Sequence, residues 1–243
     1  MVALSDPFRS QPDAGMGRTW RILRRSGLSF LPYLAINFAL PRIAGRLRRC
    51  PRSGTRQMPL GLLCAQLSIP VSVADDMNSE AFRAVLRASG ADLLVIFHCD
   101  QILRAETLAI LPRGGVNVHA GLLPDHRGPV PTIHALLDQP ARFGVTIHRV
   151  VPRIDAGAIL AQTALELPAG TSALRAALLL HEAAVPMLAE VLDLLATGNQ
   201  PEWNPEPGAY CGFPTRSQLK RLAGLGNKAW DRRDLRRAWS TPI

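Results

Sequence analysis

Residues 115–128, GVNVHAGLLPDHRG, carry the clearest structural signal in the chain. Gly115 to Val118 has the character of a β-strand, and a strand places residues i and i+2 on the same side. Asn117 and His119 are therefore expected to face one site together. An amide can donate to a developing oxyanion and an imidazole can move a proton, so this pair suits a reaction that passes through a negatively charged oxygen.

A second stretch is expected to complete the site. Residues 144–151, GVTIHRVV, have strand character, and residues 152–157, PRIDAG, form the loop at the end of that strand. Asp155 in this loop is the carboxylate that would orient His119 or set its charge.

Apolar runs alternate with helical patterns from residue 60 onward. This alternation is typical of an α/β, Rossmann-like fold with a mostly parallel sheet and helices on both faces. Ligands in such sheets bind beyond the carboxyl ends of strands, where Asn117, His119 and Asp155 are expected to lie. The expected helices are 60–67, 80–88, 105–110, 132–137 and 172–195, and the expected strands are 69–73, 93–97, 115–118, 144–151, 159–162 and 164–167.

The chain is strongly basic. Its 243 residues carry a formal net charge of +9, and the sequence pI is about 10.6. Two interpretations stand side by side: attraction to nucleic acid, an anionic membrane or an anionic substrate, or a general arginine bias in an Ala/Leu-rich chain. Much of the charge falls in residues 18–56 and 216–237, which is more local than a uniform bias would produce.

The cysteines indicate a reducing compartment, because they form no C-x-x-C pair. They are Cys50, Cys64, Cys99 and Cys211. We therefore expect no disulfide framework and no metal site. The group His119, Asp125 and His126 matches no common metal-ligand spacing either.

Several motifs resemble those of the 10-formyltetrahydrofolate-dependent formyltransferases. They are Asn117-x-His119, Leu122-Leu123-Pro124, Arg127-Gly128, Gly144-Val145-Thr146 and Ile154-Asp155-Ala156-Gly157. That family includes methionyl-tRNA formyltransferase, glycinamide ribonucleotide transformylase and the sugar-amine formyltransferases. The resemblance runs from about Pro59 to about Leu195 and implies the formyltransferase fold.

The resemblance also implies a catalytic trio of Asn117, His119 and Asp155. In these roles Asn117 donates its amide to the oxyanion, His119 stabilises the same charge and protonates the departing folate nitrogen, and Asp155 holds His119 and takes up the amine proton. The family needs no metal for this reaction. One departure is Gly121, where the family usually has Ser, and this change bears on positioning more than on chemistry.

The same resemblance implies where the substrates bind. The formyl donor, 10-formyltetrahydrofolate, would lie against Gln101, Ile102, Leu103, Val151 and Ile154. The family holds the pterin largely with backbone groups, so Asp100 and Gln101 are tolerated there. His98 is a further candidate for this pocket, and Arg127 and Gly128 are candidates for binding the acceptor, although Arg127 could equally be a solvated loop residue. The remaining histidines, His126, His134, His148 and His181, are expected on the surface or behind the site.

We expect a division into three parts: a basic lead with short amphipathic helices (1–58), the catalytic domain (59–198) and a basic C-terminal tail (199–243). The family usually begins with a strand, a glycine-bearing turn, a helix and a second strand. No such pattern precedes residue 60, so the first strand–helix unit is expected to be missing and residues 1–17 to be a flexible lead.

An apolar run of residues 28–40 lies between two groups of arginines. They are Arg18, Arg21, Arg24 and Arg25 on one side and Arg42, Arg46, Arg48 and Arg49 on the other. The run is too short to span a membrane. It predicts either helices packed on the domain, which we favour, or an interfacial helix on an anionic membrane or a lid over an apolar substrate. The location is therefore expected to be cytoplasmic, with attachment to the inner face of the membrane as an alternative.

The leading functional hypothesis is transfer of a formyl group from 10-formyltetrahydrofolate to a primary amine. Residues 199–243 are too few for the β-barrel domain that the tRNA enzyme carries, which favours a small acceptor such as an amino sugar nucleotide, while the basic ends keep tRNA as an acceptor. The alternatives are a formyltetrahydrofolate hydrolase and a truncated, non-catalytic protein that binds folate or a membrane. The sequence carries no prediction of oligomeric state.

Overall fold

The computed structural model describes residues 1–5, 14–41, 43, 60–99 and 101–240. Its strands are β1 (Val2–Ser5), β2 (Val71–Ala74), β3 (Leu94–Phe97), β4 (Gly115–His119), β5 (Phe143–Arg149) and β6 (Ile159–Leu165). Its helices are α1 (Ala14–Ser26), α2 (Leu31–Leu34), α3 (Leu60–Gln66), α4 (Glu80–Ser89), α5 (Ala105–Leu108), α6 (Pro131–Ala135), α7 (Ala173–Thr197), α8 (Arg216–Gly224) and α9 (Arg232–Ser240). A 3-10 turn (Leu28–Phe30) precedes α2 and a π-helical turn (Ala35–Ala39) follows it; together, residues 28–39 are called the wall helix.

The main sheet has the strand order β3-β4-β5-β6, and β1 pairs with β2 in a separate two-stranded sheet. The α/β fold class is confirmed. The β1–β2 and β3–β4 pairs are parallel, whereas β4–β5 and β5–β6 are antiparallel. The link between β5 and β6 is too short for the crossover that a parallel pair requires. Between β4 and β5, the helix α6 packs in a different hydrophobic cluster and does not cross the sheet.

The expectation that no strand precedes residue 60 was wrong, and so was a flexible lead at residues 1–5 and 14–17, while residues 6–13 of this lead lie outside the described residues. Strand β1 pairs along its whole length with β2, from Val2 opposite Val71 to Ser5 opposite Ala74, and α1 begins at Ala14. A run of four residues is too short to show a period, and its partner lies far along the chain, so the strand forms through a non-local pairing that local patterns do not reveal.

Both faces of the main sheet are covered, as predicted. Along β3, Val95 packs into the cluster that contains α7, whereas Leu94 and Ile96 pack into the cluster that contains Phe82 and Leu86 of α4. Because successive side chains of a strand point to opposite faces, α7 and α4 cover opposite faces of this strand.

The helices α4 and α7 begin and end close to the predicted positions. The Ser79 side chain accepts a hydrogen bond from the backbone at the start of α4, and Ser172 does the same for α7. Gly90 and Gly198 end these helices in the left-handed conformation, with φ of 63° and 74°. Each helix therefore carries its boundaries in its own sequence, as a hydroxyl at the start and a glycine just past the end.

One hydrophobic cluster joins all parts of the chain. Phe30 and Tyr33 of the wall helix stack with ring centroids 4.7 Å apart and pack with Ile133 of α6, Leu222 of α8 and Phe213 of the loop before α8. The favoured interpretation, helices packed on the domain, is confirmed for the wall helix. The division into three parts stays a prediction, and Arg42, Arg46, Arg48 and Arg49 lie outside the described residues.

Replacing Ser172 should destabilise the protein, because its buried hydroxyl serves two segments. It accepts from the Arg175 backbone N–H at 3.1 Å and donates to Oδ2 of the buried Asp234 at 2.6 Å. We expect Ser172→Ala to lower the free energy of unfolding by roughly 1–3 kcal/mol, measured by urea denaturation. Thr171→Ala is the matched control, since among the described residues the Thr171 hydroxyl bonds to the nearby Pro168 carbonyl alone, at 2.6 Å. Equal urea midpoints for the two variants would contradict the double role of Ser172.

Candidate active site

A cavity of about 680 Å³ opens beside strand β4. Its walls come from β4, from the loops that follow β3 and β5, from the wall helix and from α7. This volume is in the range of sites that bind small molecules.

Strand β4 brings an amide and an imidazole to this cavity. Asn117 and His119 both line it, as their spacing of two residues predicts. The antiparallel register places His148 of β5 directly opposite Asn117, and the Asn117 Nδ2 lies 3.0 Å from His148 Nε2. His148 Nδ1 lies 2.8 Å from the Arg149 carbonyl oxygen. A ring that donates from Nδ1 to this carbonyl can accept at Nε2 from the Asn117 amide, and the second amide hydrogen of Asn117 is then available to a ligand.

Asp155 reaches the same place from the loop after β5. Its Oδ2 accepts from the Gly128 backbone N–H at 2.8 Å and lies 3.7 Å from His119 Nδ1, and its Oδ1 lies 3.5 Å from His148 Nε2. The backbone of Asp155 is left-handed, with φ of 45°. Such a conformation is uncommon outside glycine and is held by its surroundings.

Asp155 was expected to lie at the site because it follows the carboxyl end of a strand, and this reason was wrong. Strand β5 runs antiparallel to β4, so its carboxyl end lies beside the amino end of β4, where Val150 N donates to the Gly115 carbonyl at 2.8 Å. The loop 150–158 therefore has to turn back along the sheet to bring Asp155 to His119. Of the two strands, β4 has its carboxyl end at the site and β5 does not.

Arg127 holds this loop in place. It is 3% exposed, and its guanidinium donates to the backbone carbonyls of Ile154, Asp155 and Gly208. Arg127 was expected to bind the acceptor, but its guanidinium already donates to backbone carbonyls of the protein. Gly128, and not Arg127, lies on the cavity wall. A buried cation with carbonyl partners on two loops ties those loops together.

Burial dominates the electrostatics of His119. It lowers the pKa of this imidazole from 6.5 to about 4, while the nearby Asp155 carboxylate acts in the opposite direction. The ring is therefore neutral near pH 7. Its Nε2 lies 3.2 Å from the His126 carbonyl oxygen, and its Nδ1 faces Asp155. Each ring nitrogen of a protonated His119 would therefore have an oxygen acceptor nearby.

The pKa of the Asp155 carboxyl is shifted in the direction opposite to the one that burial alone would produce. Burial alone raises its pKa, but His148 and His119, when they are protonated, and the Gly128 backbone N–H favour the carboxylate, and its pKa lies below the ordinary value. Asp155 is therefore an anion that faces a neutral, protonatable ring.

Gly121 has a direct steric relation to His119. A Cβ at this position would lie 2.9 Å from His119 Nε2 and 2.8 Å from the Cβ of Pro131. The absence of a side chain lets the imidazole take the place where a Ser side chain would begin. This departure from the family's usual Ser therefore bears on how the histidine is positioned.

Sequence reasoning underrated two histidines. His148 was expected on the surface or behind the site, yet it is 3% exposed, lines the cavity and contacts Asn117. His181 of α7 also lines the cavity and packs against His98, with ring centroids 4.1 Å apart and ring planes tilted by 31°. His148 and Thr146 are two residues apart and therefore lie on the same face of β5. The position of His148 opposite Asn117 follows only from the strand register, which the sequence alone does not reveal.

The residues expected to hold the donor all line the cavity. They are Gln101, Ile102, Leu103, Val151 and Ile154, and His98 lies with them. The Gln101 side chain accepts from Met77 N at 2.8 Å and donates to the Asp75 carbonyl at 3.1 Å, which anchors this wall to the loop after β2. Asp100 lies outside the described residues.

The buried neutral His119 should make stability depend on pH. Its folded pKa of about 4 is below its ordinary 6.5, so between these values the unfolded chain binds the proton more readily and stability falls as the pH falls. We expect the slope of unfolding free energy against pH in this window to be smaller in His119→Gln by up to about 1.4 kcal/mol per pH unit. Burial also lowers the pKa of His134 and His181, so the contribution of His119 is the difference between the two slopes, measured by urea denaturation. Identical slopes would mean that the folded ring is charged.

Restoring a side chain at position 121 should move the histidine. Gly121→Ser forces either Pro131 or the His119 ring to shift, so we expect a loss of about 1–3 kcal/mol of stability and a changed His119 ring signal by NMR. Gly61→Ser is the control, because a Cβ there meets nothing within 4 Å. An unchanged His119 signal together with unchanged stability in the Gly121 variant would contradict the close contacts.

Comparisons with known proteins bear on the family and the fold of this chain. A family model described as formyl transferase matches residues 63–192. A curated methionyl-tRNA formyltransferase from Roseiflexus castenholzii is 37% identical over 140 residues, which cover 58% of this chain and 45% of that protein. The chain thus spans less than half the length of this relative.

Solved structures share the fold at low identity. A sugar N-formyltransferase from a Shewanella species is 21% identical, with 87% of this chain and 75% of that chain covered and a TM-score of 0.53. The formyltransferase PseJ from Anoxybacillus kamchatkensis, in complex with UDP-4,6-dideoxy-4-formamido-L-AltNAc and tetrahydrofolate, is 18% identical, with 69% and 87% covered and a TM-score of 0.52. An N-formyltransferase from Helicobacter canadensis, in complex with folinic acid and dTDP-3-aminofucose, is 15% identical, with 76% and 66% covered and a TM-score of 0.51. The likeness to these structures shows the fold, and since the family model matches more than half of the residues, the chain belongs to the formyl transferase family.

Proposed function

We propose that this protein transfers a formyl group from 10-formyltetrahydrofolate to a primary amine. The observation that carries the proposal is the meeting of Asn117, His119 and Asp155 at one cavity, with Asp155 Oδ2 3.7 Å from His119 Nδ1. An amide donor, a neutral imidazole and a carboxylate are the groups that acyl transfer to an amine requires.

The proposed reaction begins when the amine nitrogen attacks the formyl carbon. A new C–N bond forms, and the carbonyl oxygen becomes an oxyanion. The Asn117 amide, held through His148 at 3.0 Å, donates to this oxygen. A donor that is already in position stabilises the charge as it develops, without reorganisation at that moment.

One proton has to pass from the attacking amine to folate N10. The neutral His119 and the Asp155 carboxylate supply the two basic groups for taking up this proton. A protonated His119 then donates to N10 as the bond between N10 and the formyl carbon breaks. The charged ring would be stabilised by Asp155 and by the His126 carbonyl, whose oxygen lies 3.2 Å from Nε2. The products are a formamide and tetrahydrofolate, so the proton count balances.

The donor site is proposed on the cavity wall formed by the loops after β3 and β5. The fit rests on apolar side chains and exposed backbone in the segments 101–103 and 150–154, which line the cavity next to the catalytic trio. Binding of tetrahydrofolate and folinic acid by the Anoxybacillus and Helicobacter proteins supports a folate donor.

A small amine is the acceptor that we propose first, with an amino sugar nucleotide as its leading example. The Helicobacter protein binds dTDP-3-aminofucose and the Anoxybacillus protein binds a formamido sugar nucleotide, which supports this class. The charge of +9 and the likeness to a methionyl-tRNA formyltransferase support charged initiator tRNA as the second candidate.

Removing the proton carrier should abolish turnover. We expect His119→Ala to lower the acceptor-dependent loss of 10-formyltetrahydrofolate by at least about a hundredfold, and Asn117→Ala to lower it by a similar factor. The assay follows donor loss and free formate with a panel of amino sugar nucleotides and charged tRNA. Thr163→Ala, exposed on β6, is the control variant.

The outcomes separate the alternative functions. Formate release without an acceptor would identify a hydrolase in place of a transferase. Binding of folate by the folded protein without any turnover would support a non-catalytic folate-binding protein and reject the proposed transfer.

A further inference from the structure

The wall helix has two apolar faces. One face buries Phe30, Tyr33 and Ile36 against the domain, with exposures of 1%, 3% and 5%. The other face leaves Leu28 74% exposed and Leu31 40% exposed. Leu28 and Leu31 lie three residues apart, about one helical turn, and Phe38, which is 37% exposed, lies further along the same helix. We call Leu28, Leu31 and Phe38 the apolar stripe.

Basic side chains flank the apolar stripe. Helix α1, which leads into the wall helix, exposes Arg21 and Arg24 beside Trp20, itself 66% exposed. Helix α9 packs against the last turn of the wall helix and exposes Arg232 and Arg233. Exposed Leu, Phe and Trp side chains bordered by arginines are typical of a surface that lies in the interface of an anionic bilayer.

The apolar stripe reaches the mouth of the active-site cavity. Phe38 belongs to the stripe and also lines the cavity. Other large apolar side chains that line the cavity are exposed as well: Ile102 by 54%, Val151 by 37% and Tyr210 by 54%. The apolar surface therefore continues from the outside of the wall helix to the side chains around the catalytic trio.

We propose that the apolar stripe docks on an anionic bilayer and that the cavity takes its amine acceptor from this bilayer, as the headgroup of an amphipathic molecule. The arginines of α1 and α9 would pair with lipid headgroups while Leu28 and Leu31 enter the interface. No helix in the described part of the chain is long and apolar enough to cross a membrane. The docking half stands on its own, and the acceptor half rests on the proposed formyl transfer.

The docking is tested by vesicle sedimentation with the full chain. We expect it to sediment with phosphatidylglycerol-containing vesicles and much less with vesicles of phosphatidylcholine alone. The double variant Leu28→Asp/Leu31→Asp should bind the anionic vesicles about tenfold or more weakly, because two apolar side chains are lost from the interface. The matched control is Val185→Asp/Leu194→Asp, which adds the same charge at two positions of α7 that are 59% and 40% exposed.

Three results would overturn the docking. They are absence of binding by the wild type, equal weakening by the stripe and control variants, and no weakening by the stripe variant. A stripe variant that loses dimers in solution, measured by analytical ultracentrifugation without lipid, would assign the stripe to contact with a second copy of the chain instead.

The acceptor is tested with two amines that differ only in chain length. A long-chain alkyl amine placed in the anionic vesicles should be formylated by the wild type and at least about tenfold more slowly by the stripe variant. Its short-chain, water-soluble analogue should be formylated equally by both proteins. Equal rates for the two proteins on the long-chain amine would overturn a bilayer-borne acceptor. Formylation of neither amine, with amino sugar nucleotides still accepted, would overturn it too and leave formyl transfer intact, whereas failure of the proposed function would show as inactivity with every acceptor.

Discussion

A buried guanidinium holds the loops of the active site together. Arg127 is almost inaccessible to water, so its charge is tolerated only because the carbonyls of Ile154, Asp155 and Gly208 accept its hydrogen bonds. The loop after β5 and the segment before α8 must both be in place for this to happen. The left-handed backbone of Asp155 and the direction of its carboxylate follow from that requirement. The catalytic geometry thus depends on a cation that does not face the cavity.

Strand pairing fixes the positions of Asn117 and His148, which form the second part of the site. Asn117 and His148 lie opposite each other in an antiparallel ladder, and their side chains are joined at 3.0 Å. Valines and an isoleucine of the same two strands are fully buried under α7, so the ladder is anchored in the core. Groups that are mounted on such strands stay in position with a small loss of conformational entropy when substrate binds. In the proposed reaction, the group whose protonation changes is His119.

Local patterns predicted the parts of this structure that have local causes. The strand at Gly115–His119 and the helix at Ala173–Thr197 carry their own alternation and capping residues, and the structure reproduces them. Strand β1 and the direction of β5 depend on partners far along the chain, which a single pass along the sequence does not reveal. The same reason explains why the role of His148 was missed, since its position opposite Asn117 is a property of the register. The trio itself was found through its resemblance to a family, and the structure brings its members together.

The segment before the wall helix is bonded to the segment before α8. The Ser26 hydroxyl donates to the Pro214 carbonyl at 2.6 Å, although the two residues are 188 positions apart. During synthesis on the ribosome, the cluster around Phe30 and Tyr33 can therefore be completed only after the segment around Phe213 has emerged. Contacts of such long range form late and slow the search for the native state. Until that segment is translated, a nascent chain of this protein lacks part of the apolar cover over Phe30 and Tyr33, and its incomplete cluster is a surface that a chaperone can bind.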